Sequence, residues 1–223
     1  MPQMVLNRGC PLRRLCLSRY RLLVSRAVIA DEAIRLRPLT AGDAEIHLAG
    51  CDQVIVDSLG GGEPPKFEQV RLWLAANASA WASDEPVVDL GIEDKSTGSL
   101  CGTVGIQRGL DYLEPGQVNL TYSIYPLWRG RGYATRAVRL AMEVARRHPD
   151  VDQFVIRAAA WNRASIRVAQ RLGFAYSHTS DDVHGQLQWF HCTLTSQSLS
   201  LSTTGLPTAD VRNCRVELPA LAN

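Results

Sequence analysis

Val118-Asn-Leu-Thr-Tyr-Ser-Ile-Tyr-Pro-Leu-Trp-Arg-Gly-Arg-Gly-Tyr-Ala134 joins three local patterns in one short run. Val118, Leu120, Tyr122 and Ile124 alternate with Asn119, Thr121, Ser123 and Tyr125, the period of a strand with one buried face. Pro126 has no N–H to give a ladder and ends the strand. Gly130 and Gly132 turn the chain. A helix follows with Ala134, Ala137, Val138, Ala141, Val144 and Ala145 on one face, and Arg136, Arg139, Glu143 and Arg146 on the other. Glycines between a strand and a helix let backbone N–H groups approach a phosphate with no Cβ in the way, and the first helical turn adds partial positive charge. Arg129, Gly130, Arg131, Gly132, Tyr133 and Ala134 are therefore candidate binders of an anionic cofactor; a plain tight turn is the alternative. A Rossmann fingerprint is disfavoured, because Thr135 stands where its third small residue would fall and no acidic residue ends a second strand at the expected distance. The Gly-Lys-Ser/Thr of a Walker loop is absent.

Outward from this run, Ile34, Leu36 and Pro38 alternate with Arg35 and Arg37 as a short strand. Thr40–Asp43 starts a helical stretch to about Leu59, and Gly60–Pro65 is a breaker loop. Phe67, Val70, Leu74 and Trp81 recur at helical spacing through about Ala82. Val87–Ile92 and Leu100–Gln107 read as a hairpin around Asp94–Gly98. Downstream, Val151–Ala159 is a strand, and Asn162–Leu172 a helix with Asn162 as N-cap and Gly173 as C′. Phe174–Ser177 and Leu187–Thr195 are the last strands. The order β-α-α-β-β-β-α-β-α-β-β predicts an α/β (α+β) fold, a mixed central sheet with helices on both faces.

Lys and Arg number 24 against 22 Asp and Glu, a net charge of +2. Residues 1–30 hold six Arg and no acid, so the remaining 193 residues carry 18 basic and 22 acidic side chains, a net −4. That balance argues against a nucleic-acid partner. Residues 1–32 form a basic N-terminal arm; a transit peptide, a start site placed upstream and an arm on a folded domain share this composition. Six of the nine residues from Ser196 to Thr204 are Ser or Thr, so residues 196–223 are an extension with no element assigned. No apolar run approaches the roughly 18 residues of a membrane span, so no membrane partner is expected. The six cysteines are scattered without a C-x-x-C pair, which fits a reducing, cytoplasmic setting and leaves one isolated disulfide as the alternative. His178, His184, His191 and Cys192 invite a metal, but neighbours on a strand point to opposite faces, and no metal is expected.

The chain resembles the GCN5-related N-acetyltransferases (GNAT), in the branch similar to ribosomal-protein (RimJ/RimL-type) N-acetyltransferases. The likeness rests on Arg129-x-x-Gly132-x-Ala134, on Asn162-Arg-Ala-Ser165 running into Gly173-Phe174, and on Leu36-Arg-Pro-Leu39 with Asp43, in that family's order over residues 33–195. It implies a GNAT fold, acetyl-CoA as co-substrate and a primary amine as acceptor, such as a protein N-terminus, with direct transfer in a ternary complex. It also implies a pyrophosphate on the N–H groups of Arg129 to Ala134, and a pantetheine arm along Ile124 and Tyr125, where a backbone N–H would face the oxyanion. Asn162 would bond the pantetheine and Ser165 would protonate the departing thiolate. Two positions depart from the family. Asn119 stands where many relatives carry Glu and could only hold a water, and Ala169 stands where many carry Tyr. Asp181 and Asp182, read as a loop before the last strand, are the nearest candidate bases. Acetylation of a small molecule, an antibiotic or polyamine, and a non-catalytic CoA-binding module are the alternatives. A monomer or homodimer is expected.

Overall fold

The computed structural model describes residues 29–58, 62–182 and 185–194. Within them the strands are β1 (Ile29–Ala30), β2 (Ile34–Pro38), β3 (Val87–Asp94), β4 (Leu100–Arg108), β5 (Gln117–Ile124), β6 (Gln153–Ala159), β7 (Ala175–Asp182) and β8 (Gly185–Thr193). The helices are α1 (Ala44–Gly50), α2 (Gln53–Ser58), α3 (Phe67–Ala82), α4 (Tyr133–Ala145) and α5 (Arg163–Arg171). All eight strands join one sheet in the order β1-β2-β3-β4-β5-β6-β8-β7. Neighbours are antiparallel except β5 and β6, which are parallel, with α4 as the crossover that parallel strands require.

The parallel pair is short. Gln117, Val118 and Asn119 face Gln153, Phe154 and Val155, and the register stops there. Leu120–Ile124 and Ile156–Ala159 run on without pairing to each other, so the sheet opens as a wedge at the carboxyl ends of β5 and β6.

Each face has its own core. Val104, Leu120, Val138, Ala141, Phe154 and Ile156 belong to the larger cluster, under α4 and α5. Leu39, Val70, Leu74, Leu100 and Tyr125 form the smaller one, against α1–α3. Polar side chains anchor the helices on the second face. Asn77 of α3 exchanges two hydrogen bonds with the backbone of Asp89, its Oδ1 accepting from the Asp89 N–H at 2.7 Å and its Nδ2 donating to the Asp89 carbonyl. Arg37 grips Asp43 through two nitrogens (2.7 and 2.9 Å) and reaches Glu93 at 2.7 Å. Asp43 also accepts from the Thr40 N–H at 2.7 Å. Burial alone would raise the Asp43 pKa, but the Arg37 and Thr40 donors hold it below the ordinary value. The Leu36–Asp43 segment is thus a charged joint between β2 and the first helix.

The strand and helix order matches the sequence reading, with four differences. The single helix expected after Asp43 breaks at Cys51 (φ −79°, ψ 89°), because Asp52 starts a new helix by accepting from the Ile55 N–H. The sheet begins at Ile29, where β1 pairs with β2, inside the stretch assigned to the basic arm. β3 continues to Asp94, whose carboxylate binds Ser96 and Thr97 and so holds the turn after it. β7 runs to Asp182, because Asp181 and Asp182 pair with Gln186 and Gly185. The rest of the arm and residues 195–223 lie outside the described residues. Cys51 and Cys101 are free thiols, whereas Cys192 is disulfide-bonded, the alternative that the cysteine pattern left open. Among the described residues no helix is long and apolar enough to cross a membrane, and no group of three or more His, Cys, Asp or Glu is placed to hold a metal.

Asn77→Ala removes both bonds to Asp89 and leaves a buried backbone N–H without a partner, which costs about 2–3 kcal/mol. Urea denaturation should show a lower midpoint with an unchanged slope.

Candidate active site

A cleft of about 470 Å³ fills the wedge. Thr121, Ser123 and Ile124 of β5, Arg157 of β6, Gly130 of the following turn and Ser165 of α5 all line it. The turn is built as an anion cradle. Gly130 and Gly132 have φ of +77° and +78°, a region that L side chains rarely adopt, and open space stands where their Cβ atoms would be. From Gly130 to Thr135 no backbone N–H meets an acceptor among the described residues, so the first turn of α4 presents a row of free donors beside the cleft.

Several expected contacts fall elsewhere. Arg129 does not belong to the row, since its N–H donates to the Pro126 carbonyl at 3.3 Å. Its guanidinium is clamped on Asp52 (2.7 and 2.8 Å) and on the Ile124 carbonyl at 3.0 Å. Arg129 is a strut from the turn to α2, and it keeps the Asp52 carboxyl below its ordinary pKa. Arg131 lies over the Trp128 ring at 4.7 Å. Tyr133 offers only its N–H, because its hydroxyl donates to the buried Asp94; Ala134 lines the cleft. Tyr125 is corrected outright. Its N–H donates to the Cys101 carbonyl at 2.8 Å, its ring is buried in the smaller core, and its hydroxyl meets His47 Nδ1 at 2.8 Å. The Tyr125 N–H is therefore not free to face an oxyanion, whereas Ile124, in the non-hydrogen-bonded pair with Gly102, turns its N–H to the unpaired side of β5. Asn162 borders the cleft, but its amide is in use: Oδ1 caps α5 by accepting from the Ser165 N–H at 3.1 Å, and Nδ2 donates to Ser58 Oγ at 3.1 Å. Ser165 is as expected at the cleft. Its carbonyl accepts from the Tyr122 hydroxyl at 3.1 Å, while its own hydroxyl has no partner among the described residues. Asn119 is buried and is not among the lining residues. Its Nδ2 donates to Gln107 Oε1 at 2.7 Å, and its Oδ1 is buried without a partner.

The fold has known counterparts. The family model of the GNAT acetyltransferase domain matches residues 33–175. The chain belongs to the GNAT acetyltransferase family. Solved structures share the fold. The RimL ribosomal L7/L12 alpha-N-protein acetyltransferase in complex with coenzyme A is 16% identical, covers 75% of this chain and 98% of its own, and has a TM-score of 0.64. The microcin C7 self-immunity acetyltransferase MccE, in complex with acetyl-CoA and AMP, is 16% identical over 74% and 94%, with a TM-score of 0.61. A GNAT-family acetyltransferase from Bacillus anthracis is 13% identical over 75% and 98%, with a TM-score of 0.63. No curated protein matches.

This GNAT chain has a carboxylate that sequence reasoning passed over. Asp89, Gly105 and Thr121 lie in one row across β3, β4 and β5. A Cβ on Gly105 would stand 2.4 Å from Asp89 Oδ1 and 2.3 Å from Thr121 Oγ1. The missing side chain therefore lets the carboxylate approach the hydroxyl that lines the cleft. Asp89 has no basic partner among the described residues, and burial pushes its pKa up to about 6. The signal in the sequence was a lone Asp opposite a glycine, which gains meaning only with the register known. Asp181 and Asp182 are exposed on β7, not in a loop, and are not among the residues lining the cleft.

The Asp89 pKa is raised from its ordinary value near 3.8 to about 6, so its ionisation works against folding. The cost is absent below the unfolded value and complete above the folded one. Asp89→Asn should therefore be more stable than the wild type at pH 8, by roughly 1–3 kcal/mol. The advantage should shrink as pH falls from 6.5 to 4, as denaturation at the two pH values will show.

Proposed function

We propose that the chain transfers the acetyl group of acetyl-CoA directly to a primary amine, with an α-amine, such as a protein N-terminus, as the acceptor. The observation that carries this reading is the row of free N–H groups from Gly130 to Thr135 opening on the same cleft as Ser165 and Thr121. The pyrophosphate sits on that row and on the positive end of α4. The pantetheine lies in the wedge, beside the unpaired length of β5. The acceptor nitrogen attacks the thioester carbon, the C–N bond forms and the C–S bond breaks. Ser165 Oγ gives its proton to the departing thiolate and regains one from solvent. The proton lost by the amine passes by way of water and Thr121 to Asp89, whose pKa near 6 leaves it mostly ionised at pH 7–8, where an α-amine is partly neutral. With Asn119 unable to take a proton, Asp89 fills the role that Glu plays in many relatives. Free Cys51 and Cys101 fit a cytoplasmic setting, and the Cys192 disulfide does not.

The donor site is tested by thermal unfolding with about 1 mM acetyl-CoA. A ligand at 100 times its dissociation constant stabilises the folded state by about 2.7 kcal/mol, and the wild type should show that upshift. Gly132→Asp, which puts a negative side chain on the cradle at a positive φ, should lose it. An equal shift in both proteins would remove the donor from this turn.

The proton route has its own signature. kcat/KM should rise with pH through about 6, ahead of a second limb at the acceptor amine's own pKa. Asp89→Asn should lose the first limb, and Ser165→Ala should lower kcat by about 100-fold with the acetyl-CoA KM retained. A first limb preserved in Asp89→Asn would exclude Asp89.

A further inference from the structure

Three buried polar atoms without partners share one face of the sheet: Asn119 Oδ1 on β5, Arg157 Nε on β6 and His191 Nε2 on β8. Asn119 and His191 flank Val155 in a single row, and Arg157 faces Trp189 in the next. Arg157 is the centre of the cluster and also lines the cleft. Its guanidinium lies 3.7 Å from the Tyr112 ring centre and 5.2 Å from that of Trp189. Tyr112 comes from the β4–β5 loop and is held back over the face, its ring edge-on to Trp189 and its hydroxyl donating to Gln107 Oε1 at 3.3 Å. His178 stacks on the far side, its ring 5.0 Å from Trp189. No carboxylate of the described residues pairs with Arg157.

A partly buried guanidinium with no counter-ion is costly to maintain, and the aromatic rings explain only how it is held. They pack against it without accepting a hydrogen bond from its N–H groups, two of which can match the two oxygens of a carboxylate. A phosphate dianion would need a second cation, and His191 is kept neutral by burial with His178 beside it. We infer that the acceptor of this enzyme carries a carboxylate, bound by Arg157 between Tyr112 and Trp189, so that the substrate class is an amino acid or a short acidic amine. This narrows the acetyl-transfer reading to a free, carboxylate-bearing amine in place of a protein N-terminus, and rests on that reading for the reaction, though not for the anion site itself.

The anion site can be read without turnover. The full chain is unfolded thermally with about 10 mM N-acetylglycine, N-acetyl-β-alanine or N-acetyl-4-aminobutyrate, each beside its carboxamide, with and without CoA. At least one carboxylate product should raise the melting temperature while its carboxamide does not. Arg157→Met should lose that difference, and Arg157→Lys, which keeps the charge but not the planar fork, should keep part of it. With acetyl-CoA and the corresponding free amines, the carboxylate form should exceed its carboxamide in kcat/KM by about tenfold or more. No shift from any carboxylate, an equal shift from the carboxamides, or an undiminished difference in cooperatively unfolding Arg157→Met or Arg157→Lys would overturn the inference. Failure of CoA to shift a chain that still responds to the carboxylate would count against the acetyl-transfer reading and support the anion site.

Discussion

Parallel pairing between β5 and β6 ends after Asn119 and Val155, and the rest of the molecule is arranged around that ending. A parallel pair that ran its full length would bring the two strands to hydrogen-bonding distance and close the sheet. Released, the two strand ends leave room for an extended group to lie between them, and they give it access to both faces at once. On one side stand α4 and α5, with their capped and uncapped amino ends. On the other lie Thr121, Asp89 and the Arg157 cluster. A donor and an acceptor can therefore approach the same point from opposite faces, which is the geometry direct transfer requires.

What the sequence made legible was local. The alternation of Val118–Ile124, the two glycines and the apolar face of α4 each depend on residues within a few positions of one another, and each reads true in the fold. Asn162 as the cap of α5 is local in the same way. Side-chain destinations were not legible, because their partners are distant. The partner of Arg129 is Asp52, just ahead of α2, and that of Tyr125 is Cys101 on β4 with His47 on α1. The same holds for Asp89 and Arg157. Neither belongs to a motif, and their interest comes from what adjoining strands place beside them, a glycine in one case and two aromatic rings in the other.

The carboxylates divide by how they are satisfied. Asp43 and Glu93 are buried against Arg37, and Asp94 is surrounded by hydroxyls and N–H groups. These are the acids that hold the frame, and their charge is matched on the spot. Asp89 and Arg157 are opposite charges held on one face with no matching partner among the described residues. Proteins retain such groups at a stability cost where the reaction uses them, and an acid and a base kept apart on one face suit a substrate that brings both an amine and a carboxylate.

The two acidic residues at the end of β7 lie on the edge of the sheet and not among the residues lining the cleft. Among the described residues β7 is the terminal strand, largely exposed, with one side of its backbone facing away from β8. Its register shifts between Tyr176 and His178, so the edge is bent. Asp181 and Asp182 add adjacent negative charges where a foreign strand would have to align. A bulge and unpaired charges on an exposed edge are the features that discourage strand addition and the growth of intermolecular sheets. The open flank of this enzyme is thereby guarded against self-association of the aggregating kind.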